Sequence, residues 1–332
     1  MDEVSIRERI SKRKLRELER YIDIVESIRE HGRTTKELVL QYLPDEISHV
    51  PDRVRELFNE FLKKKEKTLN ELIIMYKNVP RIEIATRYVI FCLCTMASLK
   101  DMRVEKYFST LRELYSDILP FIENPEYSEV DKIVKLIQMR YEKVDNQFLT
   151  VLTLKYAHGV RKILKAFKKE VFEWIMTLQT IREFEENLRV FFMKKSSERI
   201  RKCIRSIIRV FSHRTSFPLA VTIIRKGEYR KYVSIADMYT TLTTFRSGAF
   251  LIMKLDSEKV RKIEAELEAG KEVIIRIESV KGIVRSVAKL SLDPILYERG
   301  AFDIGYRYCS KNKCEECPIS NICLKYLNIK IK

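Results

Sequence analysis

The stretch CSKNKCEECPISNICLKYL, residues 309–327, gathers Cys309, Cys314, Cys317 and Cys323 within fifteen residues. Their spacing is C-x4-C-x2-C-x5-C. Four thiolates this close in sequence can surround one small inorganic centre, and both tetrahedral zinc and a [4Fe–4S] cluster accept four cysteine ligands. Structural zinc sites usually bring two separated C-x2-C hairpins, and only one such pair occurs here. A single loop wrapped around a wider object suits the cubane better, with zinc as the alternative. The other cysteines carry less information. Cys92 and Cys94 sit in the apolar run YVIFCLCTMA, where free cysteine acts as a small buried hydrophobe, and Cys203 lies on a basic helix.

Outward from the loop, the composition is that of a soluble globular chain: 332 residues, 45% hydrophobic and 33% charged. No run of eighteen apolar residues occurs, so no membrane partner is expected. The N-terminus, MDEVSIRERI, is charged and lacks the apolar core of a secretory signal. A reduced, cytoplasmic location follows as the expectation, and there clustered cysteines bind metal more often than they pair. Signatures of phosphate loops, metalloproteases and serine nucleophiles are absent from the sequence.

Charge is segregated along the chain. Residues 1–150 carry 27 Lys and Arg against 27 Asp and Glu, whereas residues 151–332 carry 37 against 20 and so hold the whole net charge of +17. Residues 151–250 alone have 21 basic and 8 acidic side chains. An excess of this kind is a footprint for a phosphate backbone. A solvated, thermophile-like surface rich in Lys, Arg and Glu accounts for the number of charges but not for their separation. Arg199, Arg201, Arg205 and Arg209, on one basic helix, are the candidate phosphate contacts.

Only eight glycines and eight prolines punctuate the chain, and most of it repeats apolar residues at helical spacing. The expected fold is all-α. RERISKRKLRELERYIDIVESIRE reads as a surface helix, and segments near 52–78, 104–119, 129–143, 147–192 and 197–212 read as helices too. In EVIIRIESVKGIVRSVAKL, Val273, Ile277, Val280, Val284 and Val287 step by four and three, so this stretch is also read as helix. Pro44, Pro51 and Pro80 punctuate the first quarter. Residues 1–80 are therefore taken as an N-terminal helical extension and residues 81–332 as the body, with the cysteine loop at 309–323.

KCEECPISNICLKY resembles the iron–sulfur loop of the helix-hairpin-helix DNA glycosylase superfamily, in its endonuclease III-like branch. That loop usually has six residues between its first two cysteines, and this chain has four. Upstream, YVSIADMYTTLTTFRSGAF resembles the family segment in which an aspartate opens a helix, and its TFRSG ending is closest to the archaeal GO glycosylase branch. DPILYERGAFDIGYRYC looks like the helix that delivers the first cluster ligand, with Asp293 as cap and Pro294 in the first turn. The family's G-x-G hairpin turn does not occur in this chain, and Tyr239 stands where many members have histidine.

The resemblance implies two helical domains, the second made from both chain ends, a [4Fe–4S] cluster, and double-stranded DNA with a damaged base as partner. It places Asp237 on the catalytic aspartate, Phe245 and Arg246 on later motif positions, and Gly248 on the motif glycine. Laid on the archaeal branch, RKCIRSIIRVFSH puts Lys202 on the lyase nucleophile, with the nearby arginines expected to ease loss of its proton. Lys311, Lys313 and Lys325 flank the loop that touches phosphate in relatives. Asp237 also reads as part of a capping box with Ser234. Tyr306, Tyr308, Phe211 and Trp174 can stack on a base and equally suit a core, and His213 reads as structural. The function expected is base excision, with or without abasic-site lyase activity. Its rivals are a DNA-binding iron–sulfur protein without chemistry and a helical scaffold that docks a protein through the neutral N-terminal half.

Overall fold

Helices make up nearly all regular structure in the computed structural model, which describes residues 12–64, 68–101, 103–192, 197–212 and 228–332. In chain order the first are α1 (Lys12–Thr34), α2 (Leu38–Gln41), α3 (Val50–Lys63), α4 (Leu69–Lys77), α5 (Ile82–Thr95) and α6 (Val104–Glu113). Next come α7 (Tyr115–Glu123), α8 (Val130–Arg140), α9 (Asn146–Lys162), α10 (Val171–Met176) and α11 (Ile181–Asn187). The last are α12 (Glu198–Ser212), α13 (Met238–Arg246), α14 (Glu258–Glu268), α15 (Ile277–Leu290) and α16 (Pro294–Arg307). Two short strands, β1 (Val273–Ile275) and β2 (Ile329–Ile331), form a parallel pair. The chain is all-α. No helix among the described residues is long and apolar enough to cross a membrane.

The chain divides into two units. One joins the N-terminal residues up to Thr35 to Tyr229–Lys332, and the other is Lys36–Glu228. The units therefore part at residues 36 and 229, not near residue 80, where proline punctuation placed a boundary. Pro51 opens α3 at its first turn and Pro80 precedes α5, so these prolines mark helix starts within the middle unit.

In the middle unit α5 is buried at every position from Ala85 to Thr95, as an apolar run long enough for a core helix requires. Helices α7, α9, α10 and α12 pack around it. Cys92 and Cys94 are buried there. Glu83 and Arg87 pair within α5, and both Glu83 oxygens accept the first amides of α10, from Val171 at 2.9 Å and Phe172 at 3.0 Å. A carboxylate at a helix N-terminus meets unpaired amides and the positive end of the helix dipole.

Two of the long expected helices are broken by local chemistry. Lys168, at φ 52°, turns the chain out of the helix after α9. Reciprocal capping boxes then restart it, Thr180 with Glu183 at α11 and Thr68 with Glu71 at α4.

The unit built from both chain ends is organised on the crossing of α1 and α16. Leu18, Ile22, Val25 and Ile28 form the buried face of α1 and meet Tyr297, Ala301 and Ile304 of α16. Each such side chain contributes about 1.5–3 kcal/mol by leaving water. At the crossing the backbones nearly touch. A Cβ on Gly300 would lie 2.0 Å from the Ile28 carbonyl, and one on Gly32 would lie 1.9 Å from that of Leu296. A second core joins Phe245, Phe250, Val260, Ile263, Val280 and Val284 with Val273 and Ile329 of the strand pair. Here the helical reading of 273–287 needs correction. The helix begins at Ile277, and Val273 belongs to β1 because its N–H bonds to Asn328 and its side chain faces Ile329's neighbours.

Candidate metal centre

α13 is the element that organises the candidate site. Asp237 is its N-cap: the side chain accepts the Thr240 N–H at 2.8 Å. Ser234 takes no part in a capping box, because its hydroxyl donates to the Pro294 carbonyl at 3.3 Å. The threonines of α13 face α16. Thr243 donates to the Ala301 carbonyl at 2.7 Å, and Thr244 lies 3.0 Å from the Tyr297 hydroxyl. Gly305 lets the helices close on each other, since a Cβ there would stand 2.3 Å from the Tyr239 carbonyl.

The segment entering Asp237 is held by Glu298, a fully buried carboxylate on α16. It accepts the Ile235 N–H at 2.6 Å and the Tyr232 hydroxyl at 3.3 Å. Glu298 went unread in the sequence, although its signal was there. It lies three residues after Ile295 and three before Ala301, a charged residue on an otherwise buried stripe.

The other end of α13 meets the cysteine loop. The Arg246 guanidinium donates to the carbonyls of Cys309 at 2.5 Å and Ile329 at 3.2 Å, and to Asn312 Oδ1 at 2.7 Å. The last carbonyls of the helix are also used: Ser247 accepts Leu324 N–H and Arg246 accepts Tyr326 N–H, each at 3.0 Å. Gly248, at φ 86°, turns the chain out of the helix with Leu324 packed where a side chain would stand.

Cys309 and Cys317 are buried, and Cys314 and Cys323 are half-buried. None is in a disulfide. Burial pushes the Cys309 thiol up to about 12, and the neighbouring Cys317 and Cys323 sulfurs add to the rise. Cys317 and Cys323 are raised chiefly by burial as well, with the Cys314 sulfur adding to both. An amide N–H points at one of the four sulfurs: Lys325 N lies 3.4 Å from Cys323 Sγ. Such N–H donors stabilise thiolate ligands. Among the described residues, no three His, Cys, Asp or Glu side chains converge tightly enough to grip a metal ion as they stand. The donor set, four soft sulfurs with amide support, fits a thiophilic centre of the zinc or iron–sulfur kind.

Comparison with protein-family models, curated proteins and solved structures found no match to this chain.

The basic candidates are placed unequally. On α12, Arg199 and Arg201 are exposed, and Arg201 pairs with Glu198 at 3.3 Å. Lys202 and Arg205 are half-buried, and Lys202 has no ion-pair partner among the described residues. Arg209 does not project to solvent as a phosphate contact would. Its Nε lies 2.8 Å and 3.0 Å from the two carboxylate oxygens of Glu37, which is 3% exposed. Apolar Ile200, Ile204, Ile207 and Phe211 fill the opposite face. In the cysteine loop, Lys313 pairs with Glu316 at 3.0 Å and Lys325 with Glu315 at 3.2 Å. Exposed pairs of this kind are worth about 0–1 kcal/mol and open readily. Lys311 instead lies over the Tyr306 ring, 5.4 Å from its centroid. Lys202 belongs to the middle unit, whereas Asp237 and the loop lysines belong to the unit of chain ends.

Of the aromatic candidates, Phe211 and Trp174 are core residues, Tyr308 packs against the α1–α16 core, and Tyr306 is half-exposed. His213 lies outside the described residues.

Proposed function

We propose that the protein is a DNA repair glycosylase that excises a damaged base, with a [4Fe–4S] cluster held by Cys309, Cys314, Cys317 and Cys323. The observation that carries this reading is α13. One nine-residue helix presents a carboxylate, Asp237, at its start and clamps the cysteine loop through Arg246 at its end. Two further features support it: a unit made from both chain ends, and basic charge concentrated after residue 150.

In this reading Asp237 stabilises the cationic sugar as the glycosidic bond breaks and orients the attacking nucleophile. One carboxylate oxygen caps the helix, which fixes the side chain, and the other is left to act. The cluster, when bound, supplies structure: it ties the chain end to α13 and leaves Lys311, Lys313 and Lys325 facing phosphate.

Lyase activity would require Lys202 as well. Its deprotonated amine attacks C1′, and the base leaves with the bonding pair and takes a proton. Opening of the sugar ring then gives a Schiff base, which borohydride reduces to a stable amine.

The test is borohydride trapping and base release on duplexes carrying an abasic site or 8-oxoguanine, extended to a wider lesion panel. Trapping that disappears with Lys202→Ala establishes the lyase. Base release without trapping, abolished by Asp237→Asn, establishes a glycosylase alone. Salt-sensitive DNA binding without release from any lesion leaves a non-catalytic DNA-binding protein. The cap on α13 favours that second reading, because it accounts for Asp237 without chemistry.

A further inference from the structure

Where α9 ends, the middle unit pushes an aromatic ring into solvent. Ile163 is the last buried residue of that stretch, and the chain continues through Phe167 as one wider, π-type turn. All six residues from Lys165 to Glu170 are exposed. Lys168, at φ 52° and ψ 38°, then turns the chain towards α10 in a left-handed conformation that lysine disfavours. Phe167 is 47% exposed and is the one exposed phenylalanine among the described residues. Among them, no other ring and no cation lies against it. A π-turn and a left-handed non-glycine residue are costly local features that cluster at functional sites.

The charge around the ring is one-sided. Lys162, Lys165, Lys168 and Lys169 are exposed, and none of their ammonium groups has a partner among the described residues. Arg161, just before them, is by contrast committed to Glu126 and to the Tyr127 ring. Against the four cations stands Glu170, the N-cap residue of α10. The other carboxylates at the start of α10 are occupied. Glu83 takes the Val171 and Phe172 amides, and Glu173 takes the Glu170 amide and the Lys77 ammonium. Four unmatched cations around one exposed ring are complementary to a polyanion with apolar faces. Duplex DNA has that form, with phosphates flanking stacked base pairs. A bilayer would need a wider apolar face than the single ring that Lys165, Lys168 and Lys169 surround.

We propose that this turn is a further DNA-binding element: Lys162, Lys165, Lys168 and Lys169 take duplex phosphates, and Phe167 wedges between base pairs from the minor groove. This rests on the DNA-directed reading above and adds a contact, in the middle unit, that needs neither a lesion nor Asp237.

The experiment uses the full-length, cluster-loaded protein and a short undamaged duplex carrying fluorescein, with anisotropy read across a salt series. Every substituted side chain is exposed, so folding is little affected. Phe167→Ala weakens binding about tenfold, within the range for loss of one base–aromatic stack. Replacing the four lysines together by glutamine reduces the slope of log K against log salt by about 3–4, the share of four phosphates. Phe167→Trp adds a reporter, because the chain's one tryptophan, Trp174, is buried in the core. Duplex quenches the added emission when the ring enters the stack. Unchanged affinity in Phe167→Ala, an unchanged salt slope, or an added emission that responds to phosphatidylserine vesicles and not to duplex overturns the proposal. Duplex binding by the parent persists in the first two cases, so the glycosylase reading is left to base release. Absence of duplex binding by the parent removes both.

Discussion

Asp237 and Arg246 stand at opposite ends of one nine-residue helix, the first capping its amides and the second bonded to the Cys309 carbonyl. At about 1.5 Å per residue the two are joined by a rigid strut of some 14 Å. The two ends can be tested separately.

At the first end, Asp237→Asn should leave stability within about 0.5 kcal/mol, because asparagine caps as well as aspartate does. Asp237→Ala should cost about 1 kcal/mol. Denaturant unfolding measures both. If base release is lost equally in the two variants, the carboxylate's charge and not its cap is what the reaction needs.

At the other end, Arg246→Ala removes charge-assisted hydrogen bonds to Cys309, Asn312 and Ile329 together. A loss of about 2–3 kcal/mol is expected, together with poorer retention of the cluster proposed above. Metal analysis after gel filtration, set beside Arg246→Lys, checks this. Lysine carries the charge but not the planar fork, so it should rescue little.

The crossing of α1 and α16 predicts opposite responses at two helical glycines. Gly300→Ala drives a Cβ into the Ile28 carbonyl and should destabilise by about 1–3 kcal/mol. Gly282, on α15, has nothing within 4 Å of where its Cβ would stand. Gly282→Ala should therefore stabilise by about 0.5–1 kcal/mol. Thermal melts of the two variants decide the matter.

Acid should weaken the unit of chain ends through Asp303. Burial acts to raise its carboxyl, but the hydrogen bonds from His31 at 2.8 Å and Arg307 at 2.7 Å outweigh it, so the group titrates below the usual carboxylate range. A lowered folded-state value stabilises above the unfolded pKa, about 4, and that stability is lost as pH falls through the folded value. Unfolding free energies below about pH 4 should fall less steeply in Asp303→Asn than in the parent. Parallel slopes would show that Asp303 is not the group responsible.

Helical character was legible because the chain repeats its apolar residues at helical spacing and carries so few glycines and prolines. One cap was legible too: Asp293 with Pro294 opens α16 as read, with the Leu296 N–H bonded to Asp293 at 3.1 Å, whereas the capping box read at Ser234 does not form. What escaped was whatever depends on a partner distant in sequence. Val273 looks helical by spacing and becomes a strand only because Ile329 is there to pair with it. Arg209 looks like a phosphate ligand until Glu37, far back in the chain, takes its guanidinium. Arg246 was read as a motif position, yet its clamp on Cys309, Asn312 and Ile329 is a tertiary fact. The division into units was hidden for the same reason, since prolines mark helix starts wherever they fall.

The pairing of α1 with α16 has a consequence for synthesis. The apolar face of α1 leaves the ribosome before α16 does, and its partner follows about 260 residues later. At about 5–20 residues per second, that leaves Leu18, Ile22, Val25 and Ile28 without their seat for tens of seconds. The middle unit is fully translated in that interval and can fold first. The nascent α1 keeps its apolar stripe uncovered until α16 and the cysteine loop are made.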